Sequence, residues 1–266
     1  MSILTGAIGL GRGAIWRLGA AALVAAGVTS GAAQAAPVSL TGWTADTFSN
    51  QANFWLIAAG GASATYTGNG YPSVLTGGGD VLGSQISFDI TVTNAYGTDD
   101  DFFGFVLGFD PGGVTGTASS DYLLIDWKRG SQIVGAGQAL RGLALSQVGD
   151  PVISNEYWTH SGGVDELARA ATLGSTGWAV GATYGFDVTY TADRVKVWVN
   201  DVLQFDLGGS FSSGTFGFYN NSQQGIRYSA LDIEALPAVP LPASLPLLLA
   251  GVGGLGLIRR MRRKAA

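Results

Sequence analysis

Three consecutive aspartates, Asp99, Asp100 and Asp101, form a cluster of side chains that could do chemistry in this 266-residue sequence. Calcium takes roughly six to eight hard oxygen ligands, and adjacent carboxylates supply them while the cation offsets their mutual repulsion. The triplet therefore predicts a calcium site. The same spacing is also typical of a solvated acidic turn that protects a sheet edge, and the sequence leaves this alternative open. Three further aspartates could complete a calcium shell: Asp121, Asp126 and Asp150.

His160 is the sole imidazole of the chain. A serine triad would need this histidine beside a serine and a carboxylate, but no serine lies in a G-x-S-x-G motif. A lone histidine is more typical of a hydrogen-bonded structural residue than of a catalytic base. We therefore predict no catalytic residue.

Two carboxylates near the end of the chain, Asp232 and Glu234, keep a second class of function open. Retaining glycosidases use two carboxylates about 5–5.5 Å apart, and residues i and i+2 of a strand share one face of the sheet. The E-x-D-x-x-E pattern of such hydrolases is absent. The sequence therefore favours a protein that is not an enzyme, with a polysaccharide hydrolase or lyase as the alternative.

The composition excludes several kinds of site and partner. The chain has no cysteine and one histidine, which excludes disulfide scaffolds, thiolate zinc sites and any site that needs two imidazoles. Its formal net charge of -5 argues against nucleic acid as a partner.

The elements that must position these residues are mostly strands. Apolar and polar residues alternate over residues 86–92 and 186–191, which predicts half-buried strands. Asn200 and Asp201 tolerate positive φ and separate two apolar segments, so they predict a two-residue hairpin turn. The other predicted strands are residues 102–109, 122–128, 194–199, 202–207, 215–219 and 226–233.

Many strands with glycine-rich turns predict an all-β fold, a jelly-roll sandwich of two antiparallel sheets. One short helix is predicted over residues 165–173, because Asp165 and Glu166 fall in its first turn and Gly174 is placed as a C-terminal cap. Residues 36–238 carry no internal repeat or long polar linker, so we interpret them as one domain. Large side chains for its core are Trp55, Trp127, Trp158, Trp178 and Trp198.

The first 35 residues have the three parts of a secretory signal peptide. Arg12 and Arg17 supply the positive charge, residues 18–28 the apolar region and residues 33–35 an A-x-A cleavage site. The chain is therefore expected to be exported.

The C-terminus carries a second three-part arrangement: residues 239–243 read VPLPA, residues 245–258 are apolar and residues 259–264 are rich in arginine. An apolar segment followed by a basic tail keeps its C-terminus in the cytoplasm. Fourteen residues form a helix of only about 21 Å, short for a hydrocarbon core of about 30 Å. A transient transmembrane segment is predicted, with an ordinary tail anchor as the alternative.

These last 28 residues resemble the VPLPA variant of the PEP-CTERM sorting signals of exported Gram-negative bacterial proteins. The resemblance implies an exosortase as a processing partner. This membrane-embedded enzyme would remove the tail and release or re-anchor the protein at the cell surface.

Residues 99–109 (DDDFFGFVLGF) and 122–128 (YLLIDWK) resemble the thrombospondin C-terminal domain. Further matches in the same order lie at residues 142–145, 157–162, 177–178, 217–219 and 228–231. The resemblance implies a concanavalin A-like (L-type lectin) jelly roll that binds calcium and acts in extracellular adhesion. The chain departs from that family because it has neither cysteine nor the aspartate-rich repeats that precede the domain.

Taken together, the residues and the two resemblances predict an exported surface or extracellular-matrix protein with a calcium-binding, lectin-like adhesion domain. A matrix polysaccharide or protein is the expected partner. A purely structural matrix protein is a further alternative.

Overall fold

Strands provide almost all of the regular structure that could be described. The computed structural model describes residues 37–48, 52–93, 99–118, 121–149 and 154–237. Two seven-stranded antiparallel sheets pack face to face around an apolar core. The prediction of an all-β jelly-roll sandwich is therefore confirmed.

The first sheet contains, in spatial order, β1 (Thr44–Thr47), β4 (Pro72–Gly77), β15 (Thr215–Asn221), β6 (Phe102–Phe109), β7 (Asp121–Lys128), β10 (Gly142–Gly149) and β11 (Val164–Arg169). The second sheet contains β14 (Val202–Gly208), β13 (Arg194–Val199), β12 (Thr183–Tyr190), β5 (Ser84–Val92), β16 (Ile226–Ala235), β3 (Ser63–Tyr66) and β2 (Trp55–Ile57). A small hairpin is formed by β8 (Gln132–Val134) and β9 (Gly137–Ala139). The helical elements of the described residues are a 3-10 turn, Ala52–Phe54, and α1 (Glu156–Thr159).

The alternation of apolar and polar residues determines the faces of the second sheet. In β5 the side chains of Ile86, Phe88 and Ile90 are buried, while the residues between them are only half-buried or exposed. Asn200 and Asp201 both have positive φ, at 48° and 64°, and connect β13 to β14 as predicted.

Aromatic rings fill the space between the two sheets. Phe88 lies at the centre of this core and its ring packs against four others, with centroid distances between 5.0 and 5.6 Å. The four partners come from β6, β12 and β15: Phe105, Phe186, Phe216 and Phe218. Rings from both sheets therefore hold the sandwich together.

A second apolar layer covers the outer face of the first sheet. Strands β6 and β7 are buried on both faces, because Val114, Ala139 and Tyr157 pack onto their outward side chains. These three residues come from the turn after β6, from β9 and from α1. The charged side chains of Asp126 and Lys128 on β7 are consequently taken out of water.

The predicted helix over residues 165–173 is wrong, because Val164–Arg169 forms strand β11 at the edge of the first sheet. An isolated nine-residue helix is marginal in water, whereas pairing with β10 satisfies backbone groups that would otherwise be left at a sheet edge. Gly174 closes a turn instead, and its N–H donates to the carbonyl oxygen of Ala170 at 3.0 Å.

The tryptophan prediction is confirmed in part. Trp55, Trp127 and Trp178 are buried in the main core. Trp158 packs against the second apolar layer instead, and Trp198 is only half-buried on the outer face of the second sheet.

Both predicted sorting segments lie outside the described residues, as does the predicted apolar span of residues 245–258. Within the described ranges, no helix has the length and apolar character needed to cross a membrane.

Candidate functional site

The acidic triplet lies immediately before β6, at the end of the first sheet where β7 finishes. Phe102 pairs with Lys128 in the β6/β7 register, so the residues before Phe102 meet the last side chain of β7. This register brings Asp100 and Asp101 to a lysine that is more than 25 residues away along the chain.

The ammonium group of Lys128 holds two of the three aspartates. Its Nζ lies 3.1 Å from Oδ1 of Asp100 and 3.2 Å from Oδ1 of Asp101. The same atom donates to the carbonyl oxygen of Asp100 at 3.1 Å and to Oε1 of Gln132 at 2.7 Å. These four residues, Lys128, Asp100, Asp101 and Gln132, are called the lysine site below.

Two aromatic rings enclose the lysine site. The Nζ atom of Lys128 lies 5.1 Å from the ring centroid of Phe102 and 5.2 Å from that of Trp158, which are distances for cation–π contact. The lysine side chain is 0% exposed. A buried charge is stable only when paired and hydrogen-bonded, and Lys128 meets both conditions.

Asp99 does not share this lysine. Its Oδ2 accepts a long hydrogen bond, 3.4 Å, from the backbone N–H of Gln224. Burial and the nearby charges of Asp101 and Asp100 raise the pKa of Asp99 to about 6. The triplet is therefore divided into one carboxyl group with a raised pKa and two carboxylates that pair with Lys128.

The structure does not gather the predicted calcium ligands around one point. Asp126 hydrogen-bonds to His160 at 3.1 Å, Asp121 accepts from Gln147 and Ser212, and Asp150 lies outside the described residues. No three acidic or histidine side chains of the described residues are grouped to hold a metal ion. Since Nζ of Lys128 already contacts one carboxylate oxygen of each, Asp100 and Asp101 do not fit a calcium ion as they stand. Calcium binding by the triplet stays a prediction.

His160 lies beside the lysine site and bridges two carboxylates. Its Nε2 is 3.1 Å from Oδ2 of Asp126 and its Nδ1 is 3.1 Å from Oε2 of Glu166. Its backbone is left-handed, with φ of 46°, where it ends α1. Arg169 in turn pairs with Glu166 at 2.7 Å.

These contacts shift the pKa values of two groups in opposite directions. Burial alone would lower the pKa of His160, but the charge of Asp126 and the hydrogen bonds to Asp126 and Glu166 outweigh it and raise the pKa to about 9. Burial would raise the pKa of Glu166, but hydrogen bonds from His160 and Arg169 lower it to about 2. His160 is therefore an imidazolium held between two carboxylates.

Sequence reasoning missed Lys128, Gln132 and Glu166. A signal for Lys128 was present, since Asp126 and Lys128 are charged residues that follow the apolar run of residues 122–125 in β7. Charged groups in such a strand indicate partners that neutralise them, although the sequence alone does not say which ones.

A groove lies between β11 and β14, the edge strands of the two sheets. It encloses about 520 Å³. Its side-chain lining, called the edge groove here, consists of Gln147, Asp165, Leu167, Leu207, Ser210 and Phe211, and the remaining lining residues are glycines.

The two sides of the edge groove are held by hydrogen bonds at either end. At one end the N–H of Ala171 donates to the carbonyl oxygen of Gln204 at 2.9 Å, which joins the two sheet edges. At the other end Asp121 accepts from Nε2 of Gln147 at 2.8 Å and from Oγ of Ser212 at 2.6 Å. The groove is therefore a preformed feature of the fold.

A second, smaller cavity of about 280 Å³ lies on the outer face of the second sheet, between Trp198, Gln85, Asp187 and Asp201. Burial and the charges of Asp201 and Asp89 raise the pKa of Asp187.

The predicted hydrolase pair lies on β16 of the same sheet. Asp232 is registered with Ser87 and Glu234 with Gln85. Cleavage of a polysaccharide by this pair stays an alternative.

No protein-family model matches the chain, and no curated protein matches its sequence. Among solved structures, the chain is similar to the carbohydrate-binding module CBM66 from Bacillus subtilis, with 16% identity over 72% of this chain and 95% of that one, and a TM-score of 0.46. The exoplasmic/lumenal domain of VIP36 in its Ca2+/Man-bound form is 12% identical over 74% of this chain and 84% of that one, with a TM-score of 0.48. Xenopus laevis galectin-Ib is 15% identical over 60% of this chain and 98% of that one, with a TM-score of 0.38.

Proposed function

We propose that the domain binds a neutral carbohydrate chain in the edge groove and does not cleave it. The observation that carries this proposal is the lining of the groove, which combines an aromatic ring and two leucines with a few polar groups. A concave, mostly apolar pocket with convergent polar groups is the usual form of a small-ligand site.

The chemistry of the lining matches a sugar ring. Phe211, Leu167 and Leu207 offer apolar surface for the C–H face of a pyranose or furanose ring. Gln147, Asp165 and Ser210 can accept or donate hydrogen bonds to its hydroxyl groups. Because Asp165 is the one charged side chain among the described lining residues and would repel an anion, an uncharged glycan fits better than an anionic one.

The same lining argues against glycoside hydrolysis in the groove. Retaining and inverting mechanisms both use a pair of carboxyl groups that flank the scissile bond. The described lining supplies a single carboxylate, Asp165. A binding site for surface or matrix polysaccharide therefore accounts for the groove better than an active site does.

Binding is tested by screening the full chain against an array of neutral bacterial polysaccharides. Asp165→Asn and Phe211→Ala should each weaken binding by about tenfold or more, which corresponds to about 1.4 kcal/mol. Phe211→Ala removes a ring contact with Tyr190 and can lower stability. Asp165 is exposed, so Asp165→Asn should fold normally and tests binding independently of that effect.

Tyr71→Ala is the matched control, because Tyr71 is an exposed aromatic residue outside the groove. A blank array would contradict glycan binding. If Trp198→Ala weakens glycan binding and Phe211→Ala does not, the glycan binds in the second cavity and not in the edge groove. If the protein releases reducing ends from a polysaccharide and Asp232→Asn abolishes this release, the hydrolase alternative is favoured.

We propose further that this binding domain belongs to an exported protein. The signal-like first 35 residues and the VPLPA motif support export followed by exosortase processing at the cell surface. Deletion of residues 239–243 should leave an unprocessed, membrane-held form in cell fractionation and mass measurement. A protein of unchanged mass and location would contradict this prediction.

A further inference from the structure

We infer that the ammonium group of Lys128 takes the place of a metal cation at the acidic triplet, residues 99–101. The domain therefore folds and keeps its structure without calcium. The inference is independent of the edge groove and of what that groove binds. It concerns the lysine site, where the oxygens expected of a metal shell surround an ammonium group.

Four oxygen atoms surround Nζ of Lys128. Two carboxylate oxygens, one backbone carbonyl and one side-chain amide oxygen lie 2.7–3.2 Å from the nitrogen. These are the oxygen types that calcium prefers, but they lie at N–H···O distances, longer than the approximately 2.3–2.6 Å of calcium ligands. An ammonium group donates three hydrogen bonds and accepts none, so four acceptors saturate it.

The ammonium group of Lys128 occupies the position that a calcium ion would need. The lysine side chain is fully buried, and its ammonium group is enclosed by the rings of Phe102 and Trp158. A calcium ion that used the same oxygens would have to displace the ammonium group, or would be repelled by its positive charge at close range. Displacement would leave a buried lysine without its partners.

Asp100 is held against the end of β7 by its backbone as well as by its carboxylate. Its carbonyl oxygen accepts the N–H of Arg129 at 3.1 Å in addition to the ammonium group of Lys128. A Cβ atom on Gly130 would lie 2.2 Å from Oδ2 of Asp100, so the absence of a side chain there lets the carboxylate fold over the end of β7. The loop is therefore shaped around the lysine.

The lysine also offsets part of the charge of the triplet. Asp100 and Asp101 supply two negative charges to the lysine site, and Lys128 supplies one positive charge. Half of the charge of these two carboxylates is therefore offset from within the chain, at the oxygens that a calcium ion would use.

The experiment compares thermal melts of the full chain in millimolar calcium chloride and in excess EDTA. The melting temperature of the natural protein should agree between the two within about 1 °C, since a ligand that does not bind cannot shift it. Terbium, a luminescent substitute for calcium, should give no emission sensitised by Trp158. A lower melting temperature in EDTA, or tryptophan-sensitised terbium emission, would overturn the inference.

A variant tests the role of the lysine directly. Lys128→Ala removes the ammonium group and leaves the oxygens, so calcium should raise its melting temperature by several degrees and terbium should bind. The control Lys128→Ala/Asp100→Asn/Asp101→Asn should lose both responses. Absence of any calcium response in a folded Lys128→Ala variant would contradict the cation role, and the melts of the natural protein decide the question if that variant does not fold.

Discussion

Replacement of Lys128 by methionine should lower the free energy of unfolding by about 3 kcal/mol or more. Breaking a buried ion pair by removing one partner typically costs about 3–5 kcal/mol, because the other charge stays buried without compensation. Lys128 is fully buried and Asp101 nearly so, while the side chain of Asp100 is 32% exposed and can recover some hydration. We therefore expect the lower part of that range. Urea denaturation of the full chain at pH 7 would measure it.

The matched control separates charge from packing. Methionine retains most of the volume of the lysine stem between Phe102 and Trp158, so little packing is lost. Adding Asp101→Asn to Lys128→Met removes one uncompensated carboxylate and should restore part of the loss. The single variant Asp101→Asn completes the comparison. If the double variant loses as much free energy of unfolding as Lys128→Met and Asp101→Asn lose together, the two side chains are not coupled. A cost below about 1 kcal/mol for Lys128→Met would show that the ion pair contributes little.

The strands of this protein could be predicted because their periodicity is local. In β5 and β12 every second residue is apolar, and the sandwich buries those residues. The turn at Asn200 and Asp201 could be predicted for the same reason, since its two positive φ values depend only on the residues themselves.

Features that depend on pairing between distant strands could not be predicted in this way. The acidic residues at 165 and 166 favoured a helix start, but β10 offered a neighbouring edge that made residues 164–169 a strand. Likewise the acidic triplet was recognised as a site in need of a cation, while its cation is a lysine that the β6/β7 register brings from 27 residues away.

The edge groove shows the same limit. Its two sides are β11 and β14, which belong to different sheets and are far apart in the sequence. Asp121 was recognised as a carboxylate that could bind a metal, and the structure instead places it at one end of the groove, where it accepts hydrogen bonds from Gln147 and Ser212. Residue types can indicate that a carboxylate needs a partner, but the partner depends on the packing of the two sheets.

The second large effect is expected from pH, because His160 gains its two partners only in the folded state. Its pKa rises from 6.5 to about 9 on folding. A raised pKa means that the folded state holds the proton more tightly, so the stabilisation is complete below pH 6.5 and is lost as the pH rises through about 9. At about 1.4 kcal/mol for each pKa unit, the loss should approach 3 kcal/mol. Urea denaturation between pH 6 and pH 10 would measure it.

Other groups of the same cluster titrate mainly below this range. Glu166 loses its contribution as the pH falls from about 4.5 to about 2, and the shift of Asp99 affects stability between about pH 3.8 and pH 6. His160→Asn is the suitable control, since asparagine tolerates the left-handed backbone at this position but does not ionise. The variant should be less stable at pH 6.5, because Asp126 loses its positive partner, and its stability should change little between pH 6.5 and pH 9. Parallel pH curves for the natural protein and the variant would show that this imidazolium does not contribute to folding.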